Sequence, residues 1–342
     1  MRPYIVWPWV SGLTTLAIGL FVARRELAAG RGLDTLVVLG PVFVAAPLAA
    51  FGAEHLTIAP FMVGMVPDWL PAHLFIIYAI GLSLYASAAS LVLRRYVWLS
   101  ASCLALMFVV FVTTMHVPNA LRGSDRFGWI VALRDLSFGG GAMCLAGASG
   151  VFRRADGSSW LSTLGRLIVG LALVVFGVLH LMYPANAPGV PLQKMTPPWI
   201  PLAAVWGYLT GAIEIAAGAL LLADRRTRAA AAWMGLVVTV LVLVIYTPFL
   251  GVAVEGKDQL EALNYIWDTL LFAGTVLLVT RTTKDEGRRT KDEGRGTLVL
   301  HAGRRRDVVV LVAHRRVRLP GAHRHVDLGL ERQSRRLCDP DA

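Results

Sequence analysis

The amino-acid sequence predicts an all-α polytopic membrane protein. Of its 342 residues, 56% are hydrophobic and only 16% are charged, and the mean hydropathy is +0.60. Soluble domains carry roughly 25% charged residues. Apolar stretches of roughly 20 residues, long enough to cross about 30 Å of hydrocarbon, recur along the chain. Composition and patterning therefore exclude a soluble globular protein, and they exclude disorder for most of the chain.

Nine apolar stretches are long enough to span a membrane. More positive charge follows the first stretch than precedes it, and no A-x-A cleavage site is present, so we expect a retained anchor and not a signal peptide. The predicted spans lie near residues 4–22, 35–53, 71–93, 97–116, 127–149, 162–182, 202–223, 229–250 and 261–279.

The loops between the predicted spans alternate in positive charge. By the positive-inside rule, the richer set of loops lies in the cytoplasm. This predicts a multi-pass protein of the cytoplasmic (inner) membrane with its N-terminus outside and its C-terminus inside. The richer loops carry Arg24, Arg25, Arg31, Arg94, Arg95, Arg153, Arg154, Arg166, Arg225, Arg226 and Arg228, and the poorer ones carry Arg2, Arg122, Arg126, Lys194 and Lys257.

The sequence repeats itself at a spacing of about 130 residues. The segment from Phe51 to Leu56 returns as Phe176 to Leu181, and Met65 to Pro71 returns as Met195 to Pro201. Each copy holds four spans, so both copies share one orientation, as in a parallel repeat about an axis along the membrane normal. The predicted domains are an N-terminal anchor (1–30), two four-helix units (31–153 and 154–282) and a basic tail (283–342).

The second unit resembles the DoxX family of four-helix membrane proteins over most of residues 160–250. The first unit resembles it more weakly and has Leu84 where the second has Glu214. Members of this family include a membrane subunit of a thiosulfate:quinone oxidoreductase and partners in thiol-linked redox complexes. The resemblance rests on Leu164-Gly165-Arg166, the segment from Phe176 to Leu181, the segment from Gly207 to Glu214, Gly218, and Arg225-Arg226.

The resemblance implies a membrane component of a quinone-linked redox system for small sulfur or thiol compounds at the outer face. Ionisable groups inside hydrocarbon are expensive, so those in the predicted spans are candidate functional residues. The candidate catalytic residues are Glu54, His55, His180 and Glu214. The candidate substrate-binding residues are His116, Arg134, Asp135, Asp268, Trp69 and Trp199.

His55 and His180 occupy equivalent positions of the two units. Paired imidazoles near a membrane surface could exchange protons with a quinol or bind a metal or haem, because imidazole titrates near neutral pH. Alternatively, each ring donates a hydrogen bond to the proline- and tryptophan-containing loop that follows it. We expect no metal site and no certain cofactor, with quinone as the candidate.

Arg134 and Glu214 each allow two interpretations. Arg134, beside Asp135, could hold an anionic substrate bidentately or form an ion pair with Asp268 that fixes two helices. Glu214 falls near the bilayer midplane, where it could act in a proton relay, stay protonated or pair with Arg134. The same predicted helix carries three glycines suited to close helix contact.

Trp69 and Trp199 each lie between prolines in a loop on the outer side. The proline-flanked rings suit an anchor at headgroup depth, and a lid over a quinone headgroup is the alternative.

The tail differs from the rest of the chain. Residues 281–342 carry +7 of the net charge of +11, and the tail begins with a seven-residue repeat. Its composition predicts disorder, and we expect it to be dispensable. The expected partners are the lipid bilayer, a soluble or membrane redox partner and a second copy of the chain, with no nucleic acid. A non-catalytic scaffold and a carrier for a small anion or metabolite remain alternatives to the redox function.

Overall fold

The computed structural model describes residues 3–123, 126–149, 151–152, 154, 158–190, 195–252, 256–282, 301–305 and 308–312. Within these residues it contains nine helices long and apolar enough to span a membrane, the number that the sequence predicts. They are α1 (Pro3–Ala29), α2 (Leu33–Thr57), α3 (His73–Leu93), α4 (Val97–Gly123), α5 (Arg126–Gly147), α6 (Trp160–Met182), α7 (Ala203–Leu222), α8 (Thr227–Tyr246) and α9 (Gly256–Val279). Short helices follow at Ala59–Met62, Val63–Met65, Phe249–Val252 and Thr280–Thr282.

Helix α1 is longer than the apolar stretch that predicts it. The sequence places its end near residue 22, whereas the helix continues to Ala29. The extra turns carry Glu26, whose carboxylate accepts hydrogen bonds at both oxygens from the guanidinium of Arg94. This bond raises the pKa of Arg94. Hydropathy marks only the apolar part of a helix. A helix can extend beyond that part when its polar residues have partners such as Arg94.

Helices α4 and α8 each contain one π-turn, at Val112–His116 and Val242–Tyr246. The two turns occupy equivalent positions of the sequence repeat. A π-turn adds one residue to the hydrogen-bonded loop and is found mostly at functional sites. His116 ends the first turn and Tyr246 ends the second. Each side chain therefore points in a different direction from the one it would have in a regular α-helix.

Among the residues that the structure describes, six that are not glycine have positive φ, which is uncommon because Cβ crowds the backbone there. Each such residue in one half has a counterpart at the repeat spacing in the other half. The pairs are Ala72 with Leu202, Arg94 with Asp224, and Tyr96 with Arg226. The connections before α3 and α7, and those after these helices, therefore share one backbone conformation.

Helix α9 lies at the centre of the bundle, in contact with α2, α5 and α8. Two of the larger contacts are reciprocal: α5 packs on α6, and α9 packs on α2. At the first contact, a Cβ on Gly165 would lie 2.8 Å from the sulfur of Cys144, and at the second, a Cβ on Gly40 would lie 3.1 Å from Cβ of Leu277. The two halves thus pack against each other through equivalent helices.

Glycines bring neighbouring helices into backbone contact within each half. A Cβ on Gly211 of α7 would lie 2.7 Å from the carbonyl oxygen of Gly177 on α6. In the first half, a Cβ on Gly81 of α3 would lie 3.2 Å from the carbonyl oxygen of Gly52 on α2. Both helix pairs therefore cross at equivalent positions and at close range.

The chain divides into two compact units, residues 1–284 and 285–342. The described part of the second unit is an antiparallel pair of strands, β1 (His301–Arg305) and β2 (Val308–Val312), with His301 opposite Val312. The rest of the predicted basic tail lies outside the described residues.

Candidate functional site

Four of the predicted site residues meet in one group, which we call the arginine cluster: His116, Arg134, Asp135 and Asp268. The Arg134 guanidinium donates a hydrogen bond from Nη1 to Oδ2 of Asp268 (2.6 Å) and one from Nε to Oδ1 of Asp135 (3.1 Å). Nε2 of His116 lies 2.9 Å from Oδ2 of Asp135. Side chains from α4, α5 and α9 are thereby joined in one chain of ionisable groups.

The arginine cluster is largely buried but not sealed. The exposed fractions of its side chains range from 10% for Asp135 to 21% for His116. The π-turn of α4 ends at His116 and directs the imidazole toward α5. His116 and Asp268 are thus the most exposed members of the cluster.

The charges around Arg134 do not suit an anion. Its guanidinium already forms ion pairs with the carboxylates of Asp135 and Asp268. A third, Glu54 on α2, accepts a hydrogen bond at 3.3 Å from the amide of Asn264, which lies one helical turn before Asp268. Carboxylates therefore outnumber the single guanidinium among these described residues. Such a group attracts a proton or a cation, since a further anion would meet negative charge.

A second polar group lies in the other half and consists of His180 and Glu214. Nε2 of His180 on α6 is 3.8 Å from Oε2 of Glu214 on α7, and neither side chain is exposed. Both the N–H and the carbonyl oxygen of Gly189 lie 3.1 Å from the same Nε2. Among the described residues, Nδ1 of His180 and both carboxyl oxygens of Glu214 have no hydrogen-bond partner.

Two tyrosines interact electrostatically with members of both polar groups. The ring of Tyr246 stacks on that of Tyr265, with centroids 6.0 Å apart, and its hydroxyl donates to the carbonyl oxygen of Pro188 at 2.8 Å. Tyr246 interacts electrostatically with both Glu214 and Asp268. The tyrosine stack therefore lies within electrostatic range of both polar groups.

The structure does not bring His55 and His180 to a common partner. Nδ1 of His55 is 2.8 Å from the carbonyl oxygen of Phe51, one turn earlier on its own helix. Glu214 does not pair with Arg134, because Asp135 and Asp268 take up that guanidinium. The ion-pair interpretation of Arg134 is thus the one that the geometry supports.

Trp69 and Trp199 both lie in loops and are exposed. The Trp199 ring contacts that of Phe249 edge-on, with centroids 5.9 Å apart. An exposed ring beside a short surface helix suits an anchor at a lipid interface. The lid interpretation stays a prediction.

Sequence reasoning missed the tyrosine stack, Gly189, which hydrogen-bonds to His180, and Asn264, which hydrogen-bonds to Glu54. Alignment of the two repeats points to Tyr246, because it replaces His116 at the end of the equivalent π-turn. No sequence signal marks Gly189, whose role depends on how the loop after α6 folds. The described residues contain no group of three or more His, Cys, Asp or Glu side chains that could hold a metal ion.

One family model, a domain of unknown function (DUF8561), matches residues 169–261. This segment runs from within α6 to the start of α9, so it includes His180, Glu214 and Tyr246 but not the arginine cluster. No curated protein and no solved structure matches the chain. The resemblance to the DoxX family stays a prediction, and the function must be argued from the geometry.

Proposed function

We propose that the chain spans the cytoplasmic membrane, with its N-terminus outside, as the membrane component of a quinone-linked redox system for small sulfur or thiol compounds. Nine apolar helices support the membrane location. The resemblance to the DoxX family supports the redox class and the kind of substrate. The arginine cluster supports a site that exchanges protons with a ligand.

The observation that carries the proposal is the chain of hydrogen bonds from His116 through Asp135 to Arg134. Oxidation of two thiols to a disulfide releases two electrons and two protons, and reduction of a quinone to a quinol consumes both. The quinone supplies the electron-accepting chemistry. His116, at one end of the cluster, would give a proton to a quinone oxygen, and Asp135 would hold the ring in position.

The arrangement of helices supports two four-helix units related by a parallel repeat, with α1 as an additional span. The reciprocal contacts of α5 with α6 and of α9 with α2 are those expected from a two-fold axis along the membrane normal. Helices α5 and α9, which carry Arg134 and Asp268, also contact each other. The proposed site would therefore lie where the two halves meet.

The test uses the full chain purified in mild detergent. Its organic extract is assayed for quinone, and the protein is assayed for thiol-dependent reduction of a short-chain ubiquinone. We expect bound quinone in stoichiometric amount and at least a tenfold loss of activity in Asp135→Asn. Ser102→Ala is the control, because this serine of α4 donates a hydrogen bond to Trp98 of its own helix and lies outside the arginine cluster. A protein that neither retains nor reduces quinone would contradict the proposal.

A proton-coupled carrier is the second candidate, and the excess of carboxylates beside Arg134 favours it over an anion carrier. Two equivalent halves that meet at a polar site are typical of secondary transporters. In vesicles with an imposed pH gradient, a carrier should move protons together with a solute. Asp268→Asn should reduce that flux, whereas a redox component should leave the vesicles proton-tight.

A further inference from the structure

The α6–α7 interface contains a carboxyl group in the middle of a glycine-lined helix face. Gly207, Gly211, Glu214 and Gly218 follow one another at the spacing of one face of α7. A Cβ on Gly218 would lie 2.6 Å from the carbonyl oxygen of Gly170 on α6. The helices are thus in backbone contact on both sides of Glu214, and its side chain is completely buried.

Nothing among the described residues satisfies this carboxyl group. Neither oxygen of Glu214 has a hydrogen-bond partner, and its nearest ionisable neighbour is His180 at 3.8 Å. Burial of a charged carboxylate without donors is strongly unfavourable. Such a group persists when it serves a purpose other than stability.

The first half shows that packing does not require a carboxyl group here. Leu84 occupies the position equivalent to Glu214, on the same face of α3 as Gly81 and Ala88. Leu84 is buried, and α3 crosses α2 at the equivalent glycines. A leucine therefore fills the same place in the same kind of helix contact.

We propose that Glu214 is an occluded proton-binding site and that His180 is the group through which its proton enters and leaves. The close contact of α6 and α7 favours a proton over a larger ligand, because a proton needs no separation of the helices. In the outward step the O–H bond of Glu214 breaks as an N–H bond forms at Nε2 of His180, and the return step reverses both changes. The site is independent of whether the protein binds quinone.

Gly189 fits both states of this exchange. Its carbonyl oxygen accepts a hydrogen bond when Nε2 of His180 carries a proton, and its N–H donates one when Nε2 is bare, both at 3.1 Å. The φ of Gly189 is +115°, which residues with a Cβ rarely adopt. The loop that follows α6 therefore lets Gly189 hydrogen-bond to His180 whether or not Nε2 carries a proton.

Burial places the resting proton on Glu214, because neither side chain is exposed and a charge on either group is unfavourable there. Arg126, at the start of α5, also opposes a positive charge on His180. Tyr246 on α8 interacts electrostatically with Glu214 and with Tyr265 and Asp268 on α9.

The first experiment treats the full chain in detergent with dicyclohexylcarbodiimide, which reacts with protonated carboxyl groups in apolar surroundings. Labelled peptides are identified by mass spectrometry. We expect Glu214 to be labelled, and more rapidly at lower pH, while Asp135 and Asp268 stay unlabelled because Arg134 binds them. Labelling of Glu214 at a rate that does not rise as the pH falls from about 9 to about 5, the range around the pKa of imidazole, would overturn the proposal.

The second experiment records the infrared C=O band of a protonated carboxyl group during exchange into D2O. Glu214→Gln should abolish the band, and Glu214→Leu should do the same in a protein that folds. His180→Ala should slow the deuterium shift at least tenfold, whereas His55→Ala, at the equivalent position of the first half, should not. An exchange rate unchanged by His180→Ala would show that the proton takes another route.

Discussion

Replacement of Arg134 by methionine removes the cation that two buried aspartates share. Methionine preserves the length and apolar stem of the side chain, so that the substitution tests charge more than volume. After the change, Asp135 retains His116 as a partner, but Asp268 loses its ion pair. We expect a large fall in the free energy of unfolding.

The expected magnitude follows from the distances. At an effective dielectric constant of about 20, charges 2.6 Å and 3.1 Å apart attract by about 6 and 5 kcal/mol before desolvation is subtracted. Desolvation of the three groups offsets much of this attraction in the intact protein. Removal of one partner from a buried ion pair costs about 3–5 kcal/mol, because it leaves a charge buried alone. We expect Arg134→Met to fall in that range.

The measurement is equilibrium unfolding in mixed micelles of increasing dodecyl sulfate content, followed by tryptophan fluorescence. Arg94→Met is the control, since Arg94 pairs with Glu26 where both side chains are nearly half exposed. Such pairs contribute about 0–1 kcal/mol. Addition of Asp268→Asn to Arg134→Met should recover part of the loss. If Arg134→Met costs no more than Arg94→Met, the buried ion-pair account of this cluster is wrong.

Four further predictions concern packing and the tail. Gly211→Ala should destabilise the protein by about 1–3 kcal/mol because its Cβ would meet the α6 backbone, whereas Gly64→Ala, with open space around it, should have little effect in the same unfolding assay. Leu84→Glu should cost about 2 kcal/mol or more, since it buries a second carboxyl group with no donor; an unchanged stability would refute this. Gly189→Ala should cost about 1–2 kcal/mol through backbone strain, and a crystal or NMR structure with its φ still positive and no loss of stability would contradict that reason. Deletion of residues 283–342 should leave membrane insertion and the unfolding curve unchanged, and loss of inserted protein would show that the tail is needed.

The number of span-length helices was predictable because apolar content is a property of each segment alone. Each stretch must satisfy its own backbone hydrogen bonds and bury its own apolar surface, wherever its neighbours lie. The helix ends were less predictable. Helix α1 continues to Ala29, and its last turns include Glu26, which pairs with an arginine that follows α3. The composition of α1 does not reveal this partner.

The candidate residues were identifiable because ionisable groups in apolar segments are rare and expensive. Their partners were not. Arg134 could reach Asp135, Asp268 or Glu214 by any estimate from depth alone, and the sequence offers no way to choose among them. The choice depends on the direction of each side chain around its helix, and a π-turn such as that ending at His116 changes this direction.

The sequence by itself determined the apolar helices, their repeat in two halves and the set of costly polar groups, since all three are properties of residues along the chain. Only the tertiary structure decided that His116 joins Asp135, that Glu214 faces His180 and that Tyr246 interacts with both groups. These contacts join residues far apart in sequence. They depend on how every helix rotates to bury its small and apolar faces at the same time.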